Sequence, residues 1–315
     1  MSSTTTGVRL DGILVVDKAA GPTSHDIVGL IRRLSGVKRV GHGGTLDPFA
    51  RGVLPIFVGR ATRVVEYHLG DRQQYRATVC FGASSTTDDL EGELTPVSAT
   101  LVSRAALDAA LDAFRGPIVQ VPPAYSAIKV AGRRAYAVAR AGGTPELAPR
   151  SVTIDRLEVI EWDGAEPERP IAIVEVDCSA GTYIRAIARD LGLALGNAAY
   201  LGALSRTASG PFRLADAVSV DAVRAAAEEG PAVLAALLKP IDTGLDLASI
   251  QLTAVELQAV VRGQFIRPSG GAPARTGEGR STDDPIRLLS EAGELVGFGR
   301  WDGTRVMPDK VLVDA

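Results

Sequence analysis

Two runs near the middle of the chain, SVTIDRLEVIEW (151–162) and IAIVEVDCSAG (171–181), alternate apolar and polar residues at the two-residue period of a half-buried strand. The segment between them, DGAEPERP, is rich in turn formers. Two such runs joined by a turn pair antiparallel, which commits the chain to a sheet with one covered face. QYRATVCFG (74–82) alternates in the same way, whereas GILVVDK (12–18) is a short apolar run suited to a buried strand. Helical spacing separates these strands. Ile27, Val28, Ile31 and Leu34 recur after a Ser24 cap and stop at Gly36. ATRVVEYHLG (61–70), SRAALDAALDAFRG (103–116) and TYIRAIARDLGLALG (182–196) read as further helices. Strands and helices follow no βαβα rhythm, and no repeat of ~20–50 residues is visible, so the fold class is α+β rather than a doubly wound sheet.

A chain of 315 residues exceeds what one core usually serves, and its texture changes near residue 248. There a short helix, TAVELQAVVRG, precedes the Gly/Pro/Arg-rich loop 267–285, expected to be mobile, and three short strand-like runs. We therefore expect a disordered tail at 1–10, a main domain over 11–243, and a small, separate β-rich module over 248–315 behind a linker. Hydrophobic residues make up 46% and no apolar run reaches the ~18 residues of a membrane span, so a soluble protein is expected. The N-terminus carries neither a basic nor an apolar leader region, which points to the cytoplasm. Cys80 and Cys178 sit in strand-like runs without metal-ligand spacing, and three scattered histidines are too few for a histidine-rich site, so no metal is expected.

The net charge of -3 argues against a nucleic-acid partner, but its distribution argues for one. Residues 32–63 hold seven cations against Asp47 alone. Residues 125–150 hold five cations, Lys129, Arg133, Arg134, Arg140 and Arg150, against Glu146. The segment 216–246 is acidic. Within the first window, GHGGTLDPFARGVLP (41–55) sets one carboxylate, Asp47, among glycines and apolar residues with Pro48 behind it. An Asp-Pro pair is ordinarily a turn. Glycines also let a backbone approach a ligand, and a carboxylate so placed is partly dehydrated and needs a cation to stay ionised. Arg185, in the first turn of the helix entered through Gly181, is the candidate, against the plainer reading of a surface helix charge.

GHGGTLDPFARGVLPIFVGRATR resembles the signature of the TruB family of tRNA pseudouridine synthases. VDKAAGPTSHDIV, QYRATVCFGASSTTDDLEGE, VPPAYSAIKVAGRRAYAVARAG and CSAGTYIRAIARDLG resemble further motifs of that family, in the same order. The likeness covers about residues 10–215. It implies a pseudouridine synthase fold with a mixed, largely antiparallel central sheet, flanking helices and a central cleft. It implies isomerisation of a uridine, most characteristically uridine 55 in the tRNA T-loop, with no cofactor. By position, Asp47 would be the catalytic acid, Tyr75 would stack on the flipped base, and Arg185 would keep Asp47 ionised. Tyr183 and Leu204 would line the uracil pocket, and His42 would help open the target loop. Lys18, Arg39, Lys129, Arg133 and Arg134 would contact phosphates. The C-terminal run VGFGRWDGTRVMPDKVLV faintly resembles a PUA-like RNA-binding module that would meet the acceptor arm. tRNA is the one partner implied, and a monomer is expected.

Ala19, Gly43, Arg51 and Tyr200 depart from the family's usual residues, and LSRT (204–207) replaces Leu-Arg-Arg, which puts one phosphate contact in doubt. Two other readings stand beside this one. A non-catalytic RNA-binding or RNA-chaperone protein would use the same basic face. A glycosidase-like hydrolase would need a second carboxylate, which Asp88, Asp89 or Glu91 could supply, although TTDDLEGE reads as a turn.

Overall fold

The computed structural model describes residues 8–97, 100–126, 128–130, 132–273 and 285–313. Strands β1 (Gly12–Lys18), β2 (Val40–His42), β3 (Arg51–Val58), β4 (Gln73–Phe81), β5 (Gly116–Gln120), β6 (Arg150–Asp163), β7 (Ile171–Cys178), β8 (Ala199–Ser209), β9 (Phe212–Arg213) and β10 (Val218–Ser219) form one ten-stranded sheet. Its order is β10–β1–β3–β8–β4–β7–β6–β5, with β2 on β3 and β9 on β8. The β1–β10 and β3–β8 pairings are parallel and the others antiparallel. The hairpin expected from 151–181 is β6–β7, in register from Ile154↔Cys178 to Asp163↔Ile171 with two shifts.

One face of this sheet is covered by helices α1 (Ser24–Ser35), α2 (Arg104–Ala110), α3 (Ile184–Ala194) and α4 (Val220–Glu229). The core between them includes Leu14, Val16, Ile27, Ile31, Leu54, Val79, Val174, Ile187 and Leu191, the residues whose periodicity marks these elements in the sequence. α1 starts differently from expectation. Thr23, not Ser24, is its N-cap, in a reciprocal capping box with Asp26. This frees the buried Ser24 hydroxyl for another task. The expected helix at 61–70 is a 3-10 stretch, Gly59–His68.

The parallel contact between β3 and β8 spans only Ser205↔Arg51 and Arg206↔Gly52. Gly52 has φ +104°, and a Cβ there would lie 2.2 Å from the Arg206 carbonyl oxygen, so no other residue allows the strands to meet. The Asp47 loop enters β3 at this point.

The C-terminal part forms a four-stranded sheet, β11 (Ser249–Gln251), β12 (Pro285–Leu289), β13 (Leu295–Trp301) and β14 (Val306–Val311), with α5 (Ala254–Val261). It has its own core around Ile250, Val260, Leu288 and Val306. It does not hang free behind a linker, as the sequence suggested. Ile13, Val15, Val53 and Phe57 on the second face of β1 and β3 share a core with Phe298 and Leu312. The continuous apolar run of β1 requires a cover on both sides, and the module supplies one of them. Arg60 and Arg63 donate to the carbonyls of Leu312 and Val311, and Lys310 pairs with Glu66. These two arginines of the basic window therefore brace the module. Order at the N-terminus begins before residue 11, with Leu10 buried in the main core. Residues 1–7 of the expected tail and 274–284 of the Gly/Pro/Arg-rich loop lie outside the described residues. Among the described residues no helix is long and apolar enough to cross a membrane.

Candidate active site

Asp47 is displayed by a loop that side chains from three other elements grip by its backbone. The Ser24 hydroxyl of α1 accepts from Leu46 N–H (2.9 Å) and donates to Leu46 C=O (3.1 Å). Lys18 of β1 donates to the carbonyls of Ala19 (2.9 Å), Pro48 (3.1 Å) and Ala50 (2.6 Å). Arg206 of β8 donates to Gly44 C=O (3.2 Å) and Val53 C=O (2.8 Å), on either side of the acid. The loop has few side chains to anchor itself, so its conformation is imposed from outside.

α3 brings Arg185 to the acid. The buried Gln120 side chain of β5 fixes the helix entrance, accepting from Tyr183 N–H (2.9 Å) and donating to Tyr183 C=O (3.0 Å). Arg185 is 5% exposed and meets four acceptors, with each of its three nitrogens engaged. Its Nε lies 3.1 Å from the Asp47 carboxylate, and its terminal nitrogens lie 3.1 Å from the Asp89 carboxylate and from the carbonyls of Thr87 and Tyr125. Asp89 is buried and also accepts from Thr87 Oγ1 (2.5 Å) and Glu91 N–H (3.0 Å). Asp88, which precedes it, is the one non-glycine with positive φ among the described residues, at 62°. That αL residue turns the chain so that Asp89 faces inward.

Burial pushes the Asp47 carboxyl above its ordinary value, Arg185 opposes this, and Asp89 adds to the rise. Its side chain remains 35% exposed, so the acid is both dehydrated and reachable. Beside it opens a pocket of about 260 Å³ lined by Tyr75, Tyr183, Ile184, Leu204 and Arg206. Tyr75 is buried, and desolvation raises its phenol while a hydrogen bond from Arg206 works against the rise. A wider cleft of about 970 Å³ adjoins it, with His42, Arg134, Tyr136 and Arg140 on its walls. Burial holds the His42 imidazole below its usual value, and Nδ1 accepts from Gly44 N–H at 3.3 Å, so the ring is neutral. A carboxylate on an arginine, beside a pocket lined by aromatic and aliphatic side chains and opening to an arginine-walled cleft, can in its ionised form attack or deprotonate a ligand that inserts a ring and leaves its charges outside.

The two family models that match describe the TruB family pseudouridylate synthase N-terminal domain, over residues 32–184, and the tRNA pseudouridylate synthase B C-terminal domain, over residues 185–246. The protein named tRNA pseudouridine synthase B of Synechococcus sp. (strain WH7803) is 44% identical, covering 96% of this chain and 98% of its own. The chain belongs to the TruB family. A second relative of the same name, from Bradyrhizobium diazoefficiens, is 39% identical over 96% of this chain and 85% of its own. The fold also matches a chain of a solved Cbf5-Nop10-Gar1 complex, with TM-score 0.72 and 25% identity, over 97% of this chain and 86% of that one.

Within this TruB-family site, Asp47, Tyr75, Arg185, Tyr183 and Leu204 line one pocket, and His42 stands on the adjoining cleft. Arg39 and Arg133 are exposed. Nothing is described of the Lys129 side chain, which lies outside the described part of the structure. Lys18 departs from expectation. It is fully buried, all three ammonium protons go to loop carbonyls, and burial brings its pKa down to about 8 against the pull of Asp47. It braces the Asp47 loop and does not reach a phosphate. Arg206 is likewise 2% exposed and grips the loop.

Sequence reasoning missed Gln120, Ser24 and Arg206 as parts of this site, and named Asp89 only as a second carboxylate that a hydrolase could use. Its stretch, TTDDLEGE, reads as a turn, which by itself does not place an acid on Arg185. The other three are single polar residues whose partners lie far away in the chain, so local spacing carries no information about them.

Proposed function

We propose that this TruB-family chain isomerises uridine to pseudouridine in tRNA, at uridine 55 of the T-loop. The N1–C1′ bond breaks, the uracil turns, and C5 bonds to C1′. The C5 proton leaves to solvent and N1 takes one up, so the reaction is redox-neutral and needs no co-substrate. A base in a stacked loop cannot enter a pocket recessed beside Asp47, so the target nucleotide must flip. Asp47 then acts on the ribose, by attack at C1′ or by removal of the 2′ proton, and both routes begin from the ionised carboxylate. Arg185 holds that carboxylate, Tyr75 stacks on the uracil, and Tyr183 and Leu204 line its slot. His42 helps displace the loop's stacking, and Arg39, Lys129 and Arg133 meet phosphates, which position RNA without reading its sequence. We assign residues 11–243 to catalysis and 248–315 to a PUA-like module on the acceptor arm, in a cytoplasmic monomer.

The observation that carries this reading is the Asp47–Arg185 pair on the wall of the pocket lined by Tyr75, Tyr183 and Leu204. A protein that only bound RNA would have no use for a dehydrated acid on an arginine with four acceptors. The test is a pair of full-length tRNA transcripts, one with uridine at position 55 and one with cytidine there, incubated with the protein and mapped for pseudouridine. Modification confined to position 55 of the first transcript is expected. Modification elsewhere in both transcripts would overturn the assignment to the T-loop.

A further inference from the structure

The smaller pocket and the wide cleft share a strip of wall made by Thr45, Leu46, Asp47, Ser126 and Arg185. In a polynucleotide the ribose joins base to phosphate. A nucleotide with its base in the pocket and its phosphates along the cleft therefore lays its sugar on this strip. Leu46 is bonded to Ser24 through its backbone, and Asp47 and Arg185 are bonded to each other. Ser126 is different. It is 3% exposed, and among the described residues its hydroxyl has no hydrogen-bond partner. Buried polar groups are nearly always paired, so an orphan on a site wall calls for a ligand atom.

The surrounding backbone fixes where that hydroxyl can go. The carbonyl of Tyr125, one residue before, accepts from Arg185 at 3.1 Å. The carbonyl of Ser126 itself accepts from Tyr136 N–H at 3.1 Å. Ser126 is thus carried on the same guanidinium that holds Asp47, and its remaining freedom is rotation of Oγ among three staggered wells. An internal ribonucleotide has its 3′ and 5′ oxygens esterified, which leaves the 2′-hydroxyl as the one sugar group able both to donate and to accept. A serine hydroxyl has the same dual capacity.

We infer that Ser126 Oγ hydrogen-bonds the 2′-hydroxyl of the target ribose and so turns C1′ and C2′ towards Asp47. This rests on the proposed reading that Asp47 acts on that ribose. The contact ties recognition of RNA as RNA to the placement of the reacting carbons.

The experiment uses two T-arm stem-loops that differ only in having uridine or 2′-deoxyuridine at the target position. The first is assayed for kcat/KM, and the second for its inhibition constant as a competitor. Ser126→Ala is expected to lower kcat/KM on the uridine stem-loop about tenfold, the size of one lost hydrogen bond. It should leave the inhibition constant of the deoxyuridine stem-loop unchanged, because that competitor has no 2′-hydroxyl to lose. Ser126→Thr, which keeps the hydroxyl, should restore most of the rate. Equal weakening towards both stem-loops would show a structural role and overturn the inference, as would no effect on either. If the wild-type protein does not convert the uridine stem-loop at all, the proposed function itself fails, an outcome distinct from a wild-type activity that Ser126→Ala leaves untouched.

Discussion

Replacing Arg185 with methionine should destabilise the fold in a manner set by the four acceptors this guanidinium serves. The Asp89 carboxylate, 3% exposed, would lose its cation, and the carbonyls of Thr87 and Tyr125 would lose a donor. Removing one partner of a buried pair costs about 3–5 kcal/mol, because the other charge is left uncompensated. Asp47, open enough for water to screen it, adds a smaller part that depends on its ionisation. We therefore expect a loss of about 3–5 kcal/mol in urea unfolding at neutral pH. The loss should depend on pH. The Asp47 carboxyl is already raised by burial, and without Arg185 it rises further. A group whose folded pKa exceeds its unfolded value stabilises fully below the unfolded pKa, and that contribution disappears as pH rises through the folded one. The deficit of Arg185→Met should thus be smaller at about pH 5 than at about pH 7.5. Arg185→Lys should fall between, because one ammonium cannot span four acceptors. A loss under about 1 kcal/mol that is the same at both pH values would refute this account of the arginine.

Other consequences can be checked as directly. Lys18→Met leaves three loop carbonyls without their donor and should cost about 2–4 kcal/mol in the same unfolding assay, while stability unchanged from wild type would contradict its bracing role. Gly52→Ala forces a Cβ to within 2.2 Å of the Arg206 carbonyl oxygen at φ +104°. It should cost at least about 3 kcal/mol or prevent folding, read from the melting temperature. The acid limb of kcat/KM should lie above the ordinary aspartate value of about 3.9, because Asp47 must be ionised and burial raises it. Asp89→Asn should move that limb to lower pH, since Asp89 adds to the rise, while slowing turnover by removing an anchor of Arg185. A limb that stays in place would exclude the electrostatic link between the two acids.

Much of the main sheet was legible because alternation and apolar runs report directly which faces are buried. The β6–β7 hairpin, α1 and α3 follow from spacing alone, and the likeness to a family pointed to Asp47 and Arg185. What the sequence hid was the satisfaction of polar groups across long separations. Lys18 looks like a free cation until the carbonyls of Pro48 and Ala50 are seen to surround it, and no local pattern encodes that meeting. Ser24 looks like a helix cap because Thr23 and Ser24 are chemically alike, and only packing decides which one faces the Asp47 loop. Arg60 and Arg63 raise the local charge yet are used against the C-terminal module, so net charge in a window overstates the face open to RNA. Asp89 stands in a stretch that reads as a turn, and the αL conformation of Asp88 that turns it towards Arg185 has no sequence mark.

The central claim is that the Asp47 carboxylate, held by Arg185, performs the isomerisation. Its most direct test is tritium release from a T-arm stem-loop labelled at C5 of the target uridine, with wild-type protein and with Asp47→Asn, alongside RNA binding by each. Forming a C5–C1′ bond must expel the C5 hydrogen, so the wild type should release tritium. The variant, matched in shape but lacking the reactive carboxylate, should bind the RNA and release none. Release by Asp47→Asn at the wild-type rate would contradict the account.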